Sequence, residues 1–256
     1  MPRVVDLFAG GGGLSLGLQQ AGFDVVAAVE NWSPAVEVYR ANFADHPVLQ
    51  LDLNDVDAAC VALQAVKPDV IAGGPPCQDF SSAGKRDESL GRASLTISFA
   101  EIVTRCRPAF FIMENVERAA KSETYKNALS LFRAAGYGIS IRVLDASHCG
   151  APQLRKRLIV IGSLNDRDGF LDLALHSNLS AEPMTVRQYF RNRLPLEHYY
   201  RHRQYHCAYQ RKRDCDIQCF SYAVITGHVQ ASCEYWPEQR NDPSVEQRDW
   251  KTILPA

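Results

Sequence analysis

Residues 3–14 read RVVDLFAGGGGL, an apolar run that leads into four consecutive glycines. The run at residues 3–8 predicts a buried strand, and a helix is predicted at residues 14–20. Glycines between a strand and a helix let the backbone approach a ligand at the carboxyl end of the strand. The spacing is neither G-x-G-x-x-G nor that of a phosphate loop, which needs Gly-Lys-Ser/Thr. The turn is therefore a candidate ligand site, with a tight structural turn as the alternative.

Further apolar runs alternate with helical stretches downstream of this turn. They lie at residues 25–29, 48–51, 70–72, 110–113, 140–144 and 158–162. Strands separated by helices imply crossover connections, so the sequence predicts an α/β fold with a mostly parallel, doubly wound sheet. One helix is predicted to begin at Ser33, with the serine as N-cap and Pro34 just inside the helix.

The overall composition is that of a folded globular protein. Hydrophobic residues make up 46% and charged residues 22% of the 256 residues, which excludes wholesale disorder. The net charge of −1 argues against non-specific polyanion binding by the whole surface, although a local basic face is compatible with it. We find no window of ~18 apolar residues and no signal-peptide stretch, so we expect a cytoplasmic protein with mostly reduced thiols.

The composition changes near residues 165–185, which predicts two parts at residues 1–165 and 166–256. The second part is basic, aromatic and rich in cysteine. Its basic stretch, residues 187–213, fits phosphate and groove contacts to nucleic acid. Zinc is a weak alternative for the late cysteines, because their spacing is irregular and no CxxC pair is present. No metal site is therefore predicted.

Carboxylates follow two of the predicted strands. Glu30 ends the second apolar run, eighteen residues past Gly12, where an acidic residue can hold ribose hydroxyls. Asp52 follows the third run and could accept a hydrogen bond from an adenine amino group. Together with the glycine turn, the two carboxylates indicate a cofactor that carries a nucleoside but has no pyrophosphate.

A second constellation, GGPPCQDFS at residues 73–81, comes directly after the fourth apolar run. Two prolines stiffen the backbone before Cys77, at the carboxyl end of a strand where ligands bind in such sheets. Cys77 is therefore a candidate nucleophile, although a single cysteine is more often a small buried hydrophobe. The polar residues 81–94 are interpreted as a loop that could close over a substrate.

Two further sites carry charge. Glu114 leaves the apolar run FFIM and is a candidate proton donor, with a solvated strand-end carboxylate as the alternative. In an extended segment Gln153, Arg155 and Arg157 fall on one face, so both arginines could aim at one site. A basic cluster is otherwise most often a solvated face.

Six features of the sequence resemble, in their order along the chain, the motifs of the DNA cytosine carbon-5 methyltransferases. They are DLFAGGGG, Glu30, Asp52, GGPPCQDFS, ENV at residues 114–116 and Q-x-R-x-R at residues 153–157. The resemblance covers residues 3–163 and implies a Rossmann-like fold that binds S-adenosylmethionine. By this resemblance Glu30 holds the ribose, Asp52 the adenine amino group, and Asn31 or Trp32 covers the adenine. The implied cofactor pocket comprises Phe8, Ala9, Gly10, Gly11, Gly12, Glu30, Asn31, Asp52, Leu53, Pro76 and Leu95.

The resemblance also implies the reaction, which is methyl transfer to carbon 5 of cytosine in a specific duplex DNA sequence. The Cys77 thiolate would attack carbon 6 of a cytosine flipped out of the duplex. Glu114 would steady the base at N3 and its exocyclic amine. Arg155 would hold the O2 atom of the base, with Arg157 as the second candidate. A restriction–modification or phage setting is expected, in the bacterial cytosol and nucleoid.

The late part departs from the family pattern, since we find no closing segment with a Gly-Asn-Ser/Ala-Val run. Residues 1–165 are thus expected to be the catalytic domain, and residues 166–256 an incomplete target-recognition region or divergent tail. A split enzyme completed by a second polypeptide, a truncated or frameshifted product, and a short self-sufficient enzyme are the alternatives. The chain could accordingly be an inactive or partner-dependent subunit. Methylation of a transfer-RNA cytosine is a further alternative.

Overall fold

The computed structural model describes residues 1–76 and 94–190, which form two compact units. The first unit comprises residues 1–149 and 154–181, and the described residues of the second are 150–153 and 182–190. The strands are β1 (Arg3–Leu7), β2 (Asp24–Glu30), β3 (Val48–Gln50), β4 (Val70–Gly73), β5 (Phe110–Val116), β6 (Tyr137–Asp145) and β7 (Lys156–Leu164). The α-helices are α1 (Gly13–Gln20), α2 (Ser33–Asn42), α3 (Val56–Val66), α4 (Ser94–Cys106), α5 (Glu123–Ala134), α6 (Asp172–Ser177) and α7 (Val186–Phe190).

The strands of the first unit form one seven-stranded sheet in the order β3-β2-β1-β4-β5-β7-β6. Neighbouring strands from β3 to β5 run parallel, whereas β7 pairs antiparallel with both β5 and β6. The prediction of a mostly parallel, doubly wound sheet is confirmed. Every predicted apolar run coincides with a strand, although the runs at residues 3–8 and 48–51 extend one residue past β1 and β3. The insertion of β7 between β5 and β6 was not predicted.

The largest core cluster lies between the central strands and the helices α3, α4 and α5. Phe99, Phe111 and Phe132 are fully buried there, and the rings of Phe111 and Phe132 stack with centroids 4.1 Å apart. Gly162 of β7 leaves room for this stack, because a Cβ atom at that position would lie 1.9 Å from Cε1 of Phe111. Truncating a buried phenylalanine typically costs ~3–5 kcal/mol, so this cluster anchors the sheet that carries the site.

The start of α2 differs from the prediction. The helix begins at Ser33 itself, and Trp32 is the N-cap residue, with no side-chain capping bond. The Ser33 hydroxyl instead accepts a hydrogen bond from Nε2 of Gln50, at 2.8 Å, so it is engaged with β3 rather than with its own helix. Pro34 lies in the first turn as predicted.

No helix among the described residues is long and apolar enough to cross a membrane. The domain boundary expected at residue 165 stays a prediction, since residues 191–256 lie outside the described part of the chain.

Candidate active site

The candidate site lies where the parallel strands end. The strands β1, β2, β4 and β5 are neighbours and run parallel, so their carboxyl ends lie along the same edge of the sheet. The glycine turn follows β1, Glu30 ends β2, the Gly-Pro segment follows β4, and Glu114 lies near the end of β5. This is the position at which doubly wound sheets bind ligands.

The turn after β1 has a left-handed backbone at three positions. Phe8 has φ 59°, Gly10 φ 56° and Gly12 φ 96°. Such values suit glycine and are uncommon for a residue as bulky as phenylalanine, so Phe8 is held by its surroundings. The amide of Ala9 donates to the carbonyl of Val29 at 3.1 Å, and the amide of Gly12 donates to the carbonyl of Ala9 at 2.9 Å. The turn is therefore tied to β2 and closed on itself.

Close packing from α2 explains why glycine is needed at position 12. A Cβ atom at Gly12 would lie 2.1 Å from Cε2 of Phe43, whereas a Cβ atom at Gly10 would meet nothing within 4 Å. The Asn42 side-chain amide also donates to the carbonyl of Gly11 at 2.9 Å. One side of the turn is thus packed against α2 and Phe43, and the space beside Gly10 is open.

Glu30 fixes the same turn from the end of β2. Its Oε2 accepts from the amide of Gly10 at 2.9 Å, and its Oε1 accepts from the amide of Trp32 at 2.8 Å. A carboxylate has about four lone-pair sites, so each oxygen retains capacity for a further hydrogen bond. Glu30 can therefore hold the turn and accept from ligand hydroxyls at once.

The predicted adenine residues follow β2 and β3. The carbonyl of Asn31 accepts a hydrogen bond from Nε2 of Gln50 at 3.2 Å, and Trp32 is 68% exposed. Oδ1 of Asp52 accepts from the amide of Asn54 at 2.9 Å, while Leu53 is buried. The Asp52 carboxylate is thus oriented by its own loop, and the Trp32 ring has a free face.

The segment after β4 approaches Glu114 closely. A Cβ atom at Gly74 would lie 3.1 Å from Oε2 of Glu114, so glycine keeps that oxygen unobstructed. Asn115 Nδ2 donates to the carbonyl of Pro75 at 3.4 Å, a long bond that joins the ends of β4 and β5. Pro76 is half-buried, and Leu95 at the start of α4 packs against the core. Cys77 and residues 81–93 of the predicted loop at residues 81–94 lie outside the described residues, whereas Ser94 is the first residue of α4 and not part of a loop.

Glu114 forms an ion pair with Arg157 across two strands. Nε of Arg157 lies 2.6 Å from Oε1 of Glu114, and the side chains are 24% and 35% exposed, respectively. In the antiparallel register Glu114 lies opposite Ile159 and Val116 opposite Arg157, so the pair is diagonal on one face of the sheet. Arg157 also donates from Nη1 to the carbonyl of Lys156 at 2.8 Å. The partly buried pair fixes both side chains.

The predicted alternation over residues 153–157 is only partly met, because β7 begins at Lys156. Arg157 lies in β7 beside Glu114, whereas Arg155 is an exposed residue that precedes the strand. The Arg155 carbonyl accepts from the amide of Ala146 at 2.9 Å. Gln153 belongs to the second unit. The structure thus joins Glu114 to the arginine that the sequence ranked second.

A buried polar cluster under the glycine turn was not predicted. Asp6 of β1 is fully buried and accepts a hydrogen bond from the Ser15 hydroxyl at 2.6 Å. Burial raises the pKa of the Asp6 carboxyl to about 7, while hydrogen bonds from Ser15 lower it and the Glu30 charge adds to the rise. A carboxylate within the apolar run VVDLF was the available signal, since a buried acid needs partners.

No group of three or more His, Cys, Asp or Glu residues that could hold a metal ion occurs within residues 1–76 and 94–190. The zinc alternative concerned cysteines after residue 190, which the structure does not describe.

Comparison with known families gives one match that covers nearly the whole chain. The family model for the C-5 cytosine-specific DNA methylases matches residues 2–245. This match agrees with the order of the motifs along the strands.

Curated relatives agree with it. The chain is 53% identical over 200 residues to the Type II methyltransferase M.HindV of Haemophilus influenzae, covering 78% of this chain and 66% of that protein. It is 52% identical over 200 residues to M.HgiDI of Herpetosiphon aurantiacus, covering 78% of this chain and 64% of the relative. The chain therefore spans slightly less than two thirds of the length of these relatives.

Solved structures share the fold. One is a candidate DNA modification methyltransferase encoded within an E. coli prophage, with a TM-score of 0.60 and 31% identity, covering 75% of this chain and 55% of the other. The S. pombe Dnmt2 methyltransferase has a TM-score of 0.59 at 22% identity, covering 71% of this chain and 57% of the other, which shows the fold alone.

Proposed function

Since the chain belongs to the C-5 cytosine-specific DNA methylase family, we propose that it transfers a methyl group from S-adenosylmethionine to carbon 5 of a cytosine in duplex DNA. The observation that carries the proposal is the Glu114–Arg157 ion pair at the sheet edge that also bears the glycine turn. A carboxyl group fixed by a guanidinium, at the same end of the sheet as the glycine turn, suits recognition of the polar edge of a base.

The residues around the glycine turn fit this cofactor. The open space beside Gly10 admits a ligand against the backbone, and Glu30 retains acceptor capacity for ribose hydroxyls. Asp52 offers a carboxylate for the adenine amino group, and the exposed ring of Trp32 or the side chain of Asn31 can cover the base. The pocket that we propose comprises Phe8, Ala9, Gly10, Gly11, Gly12, Glu30, Asn31, Asp52, Leu53, Pro76 and Leu95.

The proposed chemistry begins at Cys77. Carbon 5 of cytosine is a poor nucleophile, so the Cys77 thiolate attacks carbon 6, a C–S bond forms, and an electron pair moves towards carbon 5. S-adenosylmethionine supplies an electrophilic methyl group as a sulfonium cation. After carbon 5 has gained the methyl group, a base removes its proton and the C–S bond breaks, which releases Cys77. The target base is flipped out of the duplex for this reaction.

Glu114 and Arg157 act on the base in this proposal. Glu114 binds N3 and the exocyclic amine through the oxygen that faces Gly74, and this contact offsets the charge that accumulates in the ring. Arg157 is favoured for the O2 atom of the base, because it is the arginine bound to Glu114. Arg155 remains the alternative for that contact.

We propose a restriction–modification setting, because M.HindV and M.HgiDI are named Type II methyltransferases. The DNA target is a specific duplex sequence, and the basic residues 187–213 are proposed to contact its phosphates and grooves.

The test is transfer of tritiated methyl from S-adenosylmethionine to mixed-sequence duplex DNA by the purified chain. We expect alkali-resistant incorporation that maps to 5-methylcytosine. Cys77→Ser should abolish incorporation and leave cofactor binding nearly unchanged, since Cys77 acts on the base. Full turnover by the Ser variant would overturn the covalent mechanism. Cofactor binding without incorporation by the unmodified chain would favour the alternative of a partner-dependent subunit.

A further inference from the structure

A chain of hydrogen bonds leads from beneath the glycine turn to the protein surface. The Ser15 hydroxyl oxygen lies 2.6 Å from Oδ2 of Asp6, and the Tyr39 hydroxyl oxygen lies 2.8 Å from the Ser15 oxygen, so either direction of donation fits these distances. The Tyr39 hydroxyl also lies 2.6 Å from Nε2 of His46. Four side chains from β1, α1, α2 and the loop after α2 are thus joined in one line.

The inner end of this chain is a carboxyl group in an apolar setting. Asp6 lies opposite Ala28 of β2 and Ala72 of β4, and its Oδ1 has no hydrogen-bond partner among the described residues. The ionisable groups near it are Glu30 from β2 and Tyr39 from α2, with the Ser15 hydroxyl of α1 in direct contact. With its pKa raised to about 7, the Asp6 carboxyl is close to the balance between its two protonation states.

The outer end of the chain is an imidazole that reaches solvent through a neighbour. The His46 side chain is 3% exposed, and its Nδ1 lies 2.9 Å from Oδ1 of Asp45, which is 68% exposed. Gln19 of α1 donates from Nε2 to Oδ2 of Asp45 at 3.2 Å, which holds that carboxylate in place. Nδ1 has no partner with hydrogen-bond geometry among the described residues, so the Asp45 carboxylate acts on the imidazole as a nearby negative charge.

Two proton arrangements of this chain differ by the transfer of one proton between its two ends. In the first arrangement Asp6 is ionised, Ser15 and Tyr39 both donate inwards, and His46 donates from Nε2 to Tyr39. In the second arrangement protonated Asp6 donates to Ser15, each hydroxyl donates outwards, and Nε2 accepts from Tyr39. Each arrangement holds the same number of protons, so one is converted to the other when a proton passes between Asp6 and His46.

Nothing in the chain interrupts this transfer. The O–H bond of Asp6 breaks as an O–H bond to Ser15 forms, the Ser15 proton passes to Tyr39, and the Tyr39 proton passes to Nε2 of His46. Burial raises the pKa of the Tyr39 phenol to about 12, so Tyr39 passes a proton on and does not lose one to solvent. Phe43 packs against both the His46 ring and Gly12 of the turn, so the chain and the turn share one packed cluster.

We propose that Asp6, Ser15, Tyr39 and His46 form a proton relay that lets Asp6 ionise when a cationic nucleoside ligand binds at the glycine turn, with the proton delivered to His46. The inference rests on the proposed function, in which that ligand is S-adenosylmethionine. Its sulfonium is positively charged, whereas the demethylated product is a neutral thioether at the same atom. An ionised Asp6 beneath the turn raises the affinity for the charged ligand. The relay therefore helps the site to bind the cofactor in preference to its demethylated product.

The test follows the His46 imidazole by nitrogen-15 NMR near pH 7, with S-adenosylmethionine and with S-adenosylhomocysteine. We expect the cofactor to shift Nε2 of His46 from an acceptor to a protonated nitrogen, and the product to cause a much smaller shift. Tyr39→Phe keeps the ring and removes the bridging hydroxyl, so the cofactor should no longer shift His46. Tyr125→Phe is the matched control, because it removes another buried tyrosine hydroxyl that lies outside the relay. An unaltered cofactor-induced shift in Tyr39→Phe would overturn the relay.

Affinities provide a second readout by titration calorimetry. Asp6→Asn should weaken S-adenosylmethionine relative to S-adenosylhomocysteine by about tenfold, the scale of one screened charge–charge interaction. An unchanged affinity ratio would overturn the role of Asp6. The two failures are distinguishable: if neither ligand binds the unmodified chain, the proposed function fails, whereas binding without a His46 shift refutes the relay alone.

Discussion

Nε of Arg157 lies 2.6 Å from Oε1 of Glu114, and Oε2 of the same carboxylate faces the space that Gly74 leaves free. One oxygen of Glu114 is therefore fixed by an ion pair, and the other is the oxygen that we propose for contact with the base. The pair forms because β7 runs antiparallel to β5, so that the beginning of one strand lies beside the end of the other. This arrangement orients the carboxylate in advance of binding.

Arg157→Lys should lower kcat for methyl transfer about a hundredfold, since a lysine ammonium lacks the planar fork that holds a carboxylate. Steady-state kinetics with labelled cofactor would measure this, and the cofactor Kd should stay unchanged. Lys156→Ala is the matched control, because Lys156 is an exposed cation on the same strand. Unchanged kcat in Arg157→Lys, or an equal loss of kcat in Lys156→Ala, would refute the role given to the Arg157 guanidinium.

Gly74→Ala should reduce kcat about tenfold with little loss of stability. The added methyl group would lie 3.1 Å from Oε2 of Glu114, a contact that the side chain can relieve by moving. In Gly73→Ala the methyl group would lie 2.6 Å from the backbone oxygen of Leu7, so that variant should lose stability instead. Kinetics and urea unfolding of the two variants would separate these effects; full activity in Gly74→Ala would refute the role given to Oε2.

Gly12→Ala should destabilise the fold by ~1–3 kcal/mol, because it combines a strained left-handed backbone with a clash. The added Cβ atom would lie 2.1 Å from Cε2 of Phe43 at φ 96°. Gly13→Ala is the comparison, since a Cβ atom there meets nothing within 4 Å. Urea unfolding of both variants is the measurement. The prediction is wrong if the two alanines have equal effects.

Asp6→Asn should change how stability depends on pH. Burial raises the pKa of Asp6 from 3.8 to about 7, so between these values the folded protein retains a proton that the unfolded chain has lost. Stability attributable to Asp6 therefore falls as pH rises through this window, by up to ~1.4 kcal/mol per pH unit. Between pH 5 and pH 8 the free energy of unfolding of the Asn variant should therefore rise relative to that of the unmodified protein.

Urea unfolding at both pH values would measure that gain. Asp24→Asn, at the start of β2, is the comparison variant, because it removes an exposed carboxyl group rather than a buried one. Parallel profiles for Asp6→Asn and the unmodified protein would show that Asp6 does not retain its proton.

The strands could be predicted from the sequence because their apolar runs are local signals. The direction of β7 could not, because residues 158–162 would show the same pattern whether the strand ran parallel or antiparallel. Ser33 was expected to cap α2, yet its hydroxyl binds Gln50, a contact between residues 17 apart in the chain. In each case the deciding interaction is with a distant residue.

The site residues divide in the same way. Glu30 and Glu114 could be selected because a carboxylate ends each apolar run, and the resemblance added the chemistry expected of them. The preference between Arg155 and Arg157 could not be decided, since it depends on the residue at which β7 begins. The hydrogen-bonded link from Asp6 to His46 could not be predicted from the sequence, because its four side chains come from separate parts of the chain.

The position of β7 also has a consequence for synthesis. β5 and β6 do not pair with each other, and both pair with the later strand β7, so the sheet stays divided until residue 164 has been made. Domains on the ribosome fold as the chain emerges, and non-local pairings form late. The Glu114–Arg157 pair therefore cannot form before β7 has been made, although Glu114 lies in a strand that pairs with earlier parts of the sheet.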